Sequence, residues 1–139
     1  MTIFNSHFYT LLDEDKPEFY RRTVYRINVN SARNPLLESF DCPDPSTKTP
    51  RRAITTTPLQ ALGLMNNPFV LRAAKCFAQR VQKDAGDDAS KQVRQAYRLA
   101  LGREPTAKET ERAAKLVREH GLQELCWVLF NASEFLYVR

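Results

Sequence analysis

A mainly α-helical fold is predicted by this 139-residue sequence: a small bundle of about five helices, preceded by one short extended segment and a long loop. Three observations carry that expectation. From Thr57 onward, apolar residues recur at helical spacing in successive blocks, each bounded by proline, asparagine, glycine or a capping pair. Period-two alternation occurs once, in residues 23–29, with no convincing second strand to pair with it. Hydrophobic residues make up 42% of the chain, which is enough for a core at a length that suits one domain.

In chain order, residues 1–19 read as a weakly organised N-terminal segment, with the acidic "LLDEDKPEF" broken by a proline, and residues 20–139 as a single helical domain. Thr23, Tyr25, Ile27 and Val29 alternate with Val24, Arg26, Asn28 and Asn30, the pattern of a strand or extended segment. A lone strand leaves backbone groups unpaired and needs a partner. In "NPLLESF", Asn34 is suited to cap a short helix and Pro35 to start it. The stretch from Asp41 to Thr56 contains three prolines and no periodicity, so it is a loop. Loops of such length are usually functional or disordered.

Thr57 is the expected N-cap of the next helix, with Pro58 at its first position and Leu59, Leu62 and Leu64 as apolar residues. Asn67 and Pro68 repeat that arrangement for a longer helix, whose apolar face is Val70, Ala73, Ala74, Phe77, Ala78 and Val81. "KDAGDDAS" is a turn. Val93, Ala96, Tyr97, Ala100 and Leu101 mark a further helix, ended by Gly102. Thr106 and Glu109 form a capping box before a helix with Leu116 and Val117 facing inward and Gly121 as its stop. "LQELCWVLFNASEFLYV" is a last apolar helix with a break near Asn131.

The net charge is +5 and unevenly placed. Five basic residues lie between Lys16 and Arg33 against one acid, Glu18, and Lys48, Arg51 and Arg52 add three more. Such a face attracts acidic partners, phosphates or nucleic acid. Nucleic acid is disfavoured, because no zinc-finger spacing, RNP-type motif or GxxG loop accompanies the charge. Cys42, Cys76 and Cys126 are odd in number and widely spaced, which disfavours a disulfide framework, a zinc site and c-type haem attachment. Cys76 and Cys126 are expected to pack as small apolar residues, and Cys42 to be the exposed thiol. No metal or other cofactor is expected. No apolar run approaches a bilayer span, and the N-terminus as written lacks the parts of a secretory signal.

The residues with chemical potential gather around the long loop. Asp41 and Asp44 are closely paired carboxylates, suited to a cation or to acid/base work, or else to turn capping and pairing with Arg51 and Arg52. Too few oxygen ligands are evident for a calcium loop. Arg51 and Arg52 precede the helix start at Thr57–Pro58, where free amides favour an anion, although no glycine lets the backbone wrap a phosphate. Gln60, Asn66 and Asn67 are polar groups suited to satisfying loop backbone. Trp127, Phe130, Phe135 and Tyr137 suggest either a sugar platform or, as the favoured reading, core. No complete catalytic motif is present, so enzymatic activity is left open.

"YRRTVYR", "FDCPDPST", "RRAITTTPLQALGLMNNPFV", "AYRLALGREPTAKE" and "LFNASEFLYV" occur in a fixed order. As a set they resemble the Planctomycete PSD domain family, a C-terminal domain of unknown function in large planctomycete-type bacterial proteins, over about residues 20–139. The resemblance implies longer parents with an upstream partner domain, sometimes a cytochrome-c-like haem domain, and commonly an export signal. The chain is thus expected to be a C-terminal fragment, which accounts for the lone strand. The compartment would be cytoplasmic if the chain is complete as written, and periplasmic or exported if it is such a fragment. The family offers no catalytic residues to carry over, and its haem role does not apply without CxxCH.

The leading expectation is a non-catalytic accessory or interaction domain whose partner loop, with Asp41, Asp44, Arg51, Arg52, Thr57 and Gln60, faces an upstream domain of the same parent or another protein. One alternative is a share in a catalytic or carbohydrate-related site completed by that missing domain. Another is nucleic-acid binding through Lys16–Arg33.

Overall fold

The structure is a computed structural model and describes residues 22, 25, 35–44, 47–51 and 55–137. Among these, the secondary structure is helical, with no strand. In chain order the helices are α1 (Pro35–Ser39), α2 (Pro58–Asn66), α3 (Pro68–Ala85), α4 (Ala89–Leu101), α5 (Ala107–His120), α6 (Leu122–Phe130) and α7 (Ser133–Leu136). The chain divides into two compact units, Met1–Gln60 and Ala61–Arg139.

In the first unit, α1 starts at the proline that the sequence marks. Of the segment read as extended, only Arg22 and Tyr25 are described, and they form a tight turn: the Tyr25 N–H donates to the Arg22 carbonyl at 3.0 Å. The alternating residues around them, the basic positions Lys16, Arg21, Arg26 and Arg33, and the segment 1–19 lie outside the described residues.

The second unit is a helical bundle arranged around α6. That helix packs against α3, α4, α5 and α7, while α3 also meets α4, and α4 meets α5 and α7. Local chemistry sets each boundary. The Asn67 side chain accepts from the Phe69 N–H at 2.9 Å, with Pro68 following as the first helical residue, so the proline opens α3 rather than kinking α2. Asp88 caps α4 through the amides of Ser90 and Lys91. Gly102 ends α4 with φ +69°, a left-handed conformation that costs an L side chain about 1 kcal/mol or more. Thr106 and Glu109 form the expected capping box. The break expected near Asn131 separates α6 from α7.

The core of this unit consists of two clusters, with Phe77 and Leu122 packed against both. Val81 from α3, Val93, Ala96 and Tyr97 from α4, Ala113 and Ala114 from α5, and Leu125 and Leu129 from α6 pack as one cluster. Ala74, Ala78 and Cys126 pack as a second, with Phe77, Trp127 and Phe130 against it. In α5 the two alanines are the buried residues, while Leu116 and Val117 pack partly buried at the edge. Small side chains at the centre let helices approach closely. Gln92 is buried and satisfied, because its amide donates to the Gly86 carbonyl.

Candidate functional site

The loop between α1 and α2 is closed by one hydrogen-bonded chain of side chains. Asp41 adopts φ 57°, a left-handed conformation that aspartate tolerates better than most L residues. Its carboxylate accepts from the Thr55 N–H at 2.9 Å and from the Thr55 hydroxyl at 2.8 and 3.0 Å. The same hydroxyl accepts from Gln60 Nε2 at 2.9 Å. Gln60 Oε1 accepts from the Thr57 N–H at 3.1 Å, and the Gln60 N–H donates to the Thr57 hydroxyl at 3.3 Å. Thr57 and Gln60 are therefore a capping box at the start of α2, with glutamine in the role that glutamate plays in α5. Gln60 is buried, so its amide needs these partners.

The structure thus joins three of the residues singled out from sequence, Asp41, Thr57 and Gln60, through Thr55. Asp44 is half-buried in a turn, its carbonyl accepting from the Thr47 N–H. Arg51 is exposed and forms no ion pair with Asp41. Arg52 lies outside the described residues.

A second polar cluster centres on Arg103, in the turn between α4 and α5. Its Nε–H donates to Glu134 Oε1 at 2.6 Å and Nη2 to Glu134 Oε2 at 2.8 Å. Nη1 and Nη2 also grip Glu109 at 3.0 and 2.8 Å, and Nη1 reaches the Glu104 carbonyl at 3.1 Å. The guanidinium lies 5.5 Å from the centroid of the Tyr97 ring. Glu109 further accepts from the Thr106 N–H and hydroxyl. These bonds hold the Glu109 carboxyl down at about 2, chiefly through Arg103, and lower Glu134 in the same way. Arg103 is raised in turn by Glu134 and Glu109. Burial pushes the Tyr97 phenol up, and neighbouring Glu109 adds to that shift.

Cys126 packs in the core as expected, whereas the other two thiols depart from expectation. Cys76 is exposed, Cys42 is half-buried and Cys126 is buried. Cys76 lies two residues from both Ala74 and Ala78, which turns it away from the buried face of α3. Burial pushes the Cys126 thiol up to about 12, so it is inert in the folded chain. Among the aromatics, Phe77 stacks on Phe130 at 5.4 Å and Phe130 meets Phe135 at 5.0 Å. Trp127 and Phe130 pack on the core, whereas Phe135 and Tyr137 remain exposed.

Residues 4–117 match the family model PSD1, described as a protein of unknown function (DUF1553). The chain belongs to the PSD1 family. The matched span takes in the closed loop and runs from the N-terminal segment into α5. No curated protein and no solved structure matches the chain.

In this PSD1 domain the polar atoms of both clusters bond chiefly within the clusters. Arginine has five N–H donors, and Arg103 places all of them on Glu109, Glu134 and the Glu104 carbonyl, leaving none for an anionic ligand. Asp41 and Gln60 serve the loop and the helix start. No group of three or more His, Cys, Asp or Glu that would hold a metal occurs among the described residues, and no helix there is long and apolar enough to cross a membrane. Sequence reasoning missed Arg103. The signal available was its place after the Gly102 helix stop, three residues before the Thr106 cap, where an arginine can reach the capping glutamate.

Proposed function

We propose that this PSD1 domain is a non-catalytic accessory domain that binds a protein partner, either a neighbouring domain or a separate chain. One observation carries the reading. The outward residues of α2, Leu59, Leu62 and Met65, are 72%, 56% and 44% exposed. Their i, i+3, i+6 spacing spreads them over an arc of about 120° on one side of the helix. The whole helix, "PLQALGLMN", carries no charge. A helix without charge that turns apolar side chains outward is ordinarily covered by another surface. Scattered exposed leucines need no explanation, but an aligned set on an uncharged helix marks a surface that gains by being covered.

The alternative of a share in a catalytic or carbohydrate-related site lacks comparable support, because Asp41, Thr57 and Gln60 have their polar atoms engaged with one another or with Thr55. The reading is tested with Leu62→Glu, which places a charge in the middle of the stripe at a position that tolerates it. The natural chain should bind an apolar-surface dye or self-associate by light scattering, and the variant should do so markedly less. A monomeric natural chain that binds no dye would overturn the proposal.

A further inference from the structure

The charge of the chain is concentrated next to this apolar helix. Residues 45–83 contain seven basic residues, Lys48, Arg51, Arg52, Arg72, Lys75, Arg80 and Lys83, and no acid. The remainder holds fourteen basic and sixteen acidic residues, a balance of −2, so the positive charge of the chain resides in this one segment. Four of the seven cations lie on α3, which has no acid before Asp84.

Elsewhere in the bundle several cations find partners, and Lys108 and Arg112, which form no ion pair among the described residues, share α5 with Glu109, Glu111 and Glu119. Lys91 meets Asp88, Arg94 and Arg98 meet Glu104, Arg103 meets Glu109 and Glu134, and Lys115 meets Glu119. On α3, Lys75, Arg80 and Lys83 are exposed and form no ion pair among the described residues. Repulsion between like charges within two or three turns of one helix is relieved when an opposite charge arrives from outside.

Resting on the reading of α2 as a docking face, we infer that α2 and α3 bind an acidic amphipathic helix of a partner protein. Its apolar residues meet Leu62 and Met65, and its carboxylates meet Lys75, Arg80 and Lys83. Three features select this occupant. The surface changes along the chain, from an uncharged apolar helix to a cationic one that is about 27 Å long. An interfacial membrane helix instead carries its apolar and cationic residues on opposite faces of the same helix. The apolar face of α3 is not available to lipid, because Val70, Ala74, Ala78 and Val81 are buried. Single-stranded nucleic acid calls for exposed aromatic platforms beside the cations, whereas neither aromatic residue of α3, Phe69 or Phe77, is exposed.

The test is calorimetric titration of the full chain with a synthetic helical peptide carrying leucines on one face and glutamates on the other. A counterpart with lysine in place of glutamate, phosphatidylserine vesicles and a short DNA duplex serve as competing arms. The acidic peptide should bind, more weakly as salt rises, and Lys75→Glu with Arg80→Glu should reduce that binding about tenfold or more. The neutral pair Lys75→Gln with Arg80→Gln should give a smaller loss in the same direction, with helicity by circular dichroism unchanged. No preference for the acidic over the basic peptide, or tighter binding to vesicles or duplex, would overturn the inference. If the acidic peptide fails while Leu62→Glu still abolishes dye binding, the inference falls and the interaction reading stands; if both fail, both fall.

Discussion

Cys76 and Cys126 illustrate how position on a helix decides chemistry. Cys126 is fully enclosed and its thiol is pushed up to about 12, whereas Cys76 faces solvent. A maleimide should therefore label Cys76 in the native chain, and Cys126 only after denaturant is added; mass spectrometry of the digested adduct reads this directly. The packing around Leu125 gives a second measure at this scale. It is among the largest fully buried side chains. Leu125→Ala should cost about 2–5 kcal/mol in denaturant unfolding, because a cavity remains where the side chain was. Capping residues such as Asn67 and Thr106 were legible in the sequence because each acts within three residues of itself. Cys76 was misread: its residue type suggested burial, although the apolar face read from the spacing omits it and the side chain is exposed.

At the scale of elements, α7 is a four-residue helix that could not persist alone. The Arg103 fork ties it to the start of α5, and Phe135 rests against Phe130. The carboxyls of Glu109 and Glu134 are both lower in the folded chain than in the unfolded one. Their contribution is therefore present above the ordinary glutamate value of 4.5 and is lost as acid lowers the pH through the folded values, toward about 2 for Glu109. The melting temperature should fall across that window, and Arg103→Met should both lower it at neutral pH and flatten its acid dependence. Thr106→Ala removes the α5 cap and should cost about 0.5–2 kcal/mol. None of the fork's tie to α7 was visible in the sequence: Arg103 and Glu134 are 31 residues apart, and no local spacing encodes a contact made by folding.

At the scale of the chain, the helical class and the order of starts and stops from Thr57 onward followed from periodicity and punctuation, whereas the described residues hold seven helices against about five expected. The closed loop did not follow from either signal. Its bond between Asp41 and Thr55 spans 14 residues, and the sequence offered turn capping or pairing with Arg51 and Arg52 for the aspartate. Geometry places the Thr55 amide and hydroxyl on the carboxylate. Asp41→Ala should open the loop and expose the bonds around Gln60. Amide exchange at Thr55 and Thr57 should then quicken, while that of Val81 and Val93, in the separate core, should stay slow.

Trp127 is the single tryptophan of the chain, and its indole N–H donates to the Met65 carbonyl at 3.2 Å, across 62 residues. The last turn of α2 is thereby wired to a built-in optical reporter. Any partner that shifts this end of α2, or any variant that loosens it, should change the wavelength and intensity of tryptophan emission, with no label and no second indole to confuse the signal. The domain carries its own spectroscopic readout for occupancy of the apolar helix.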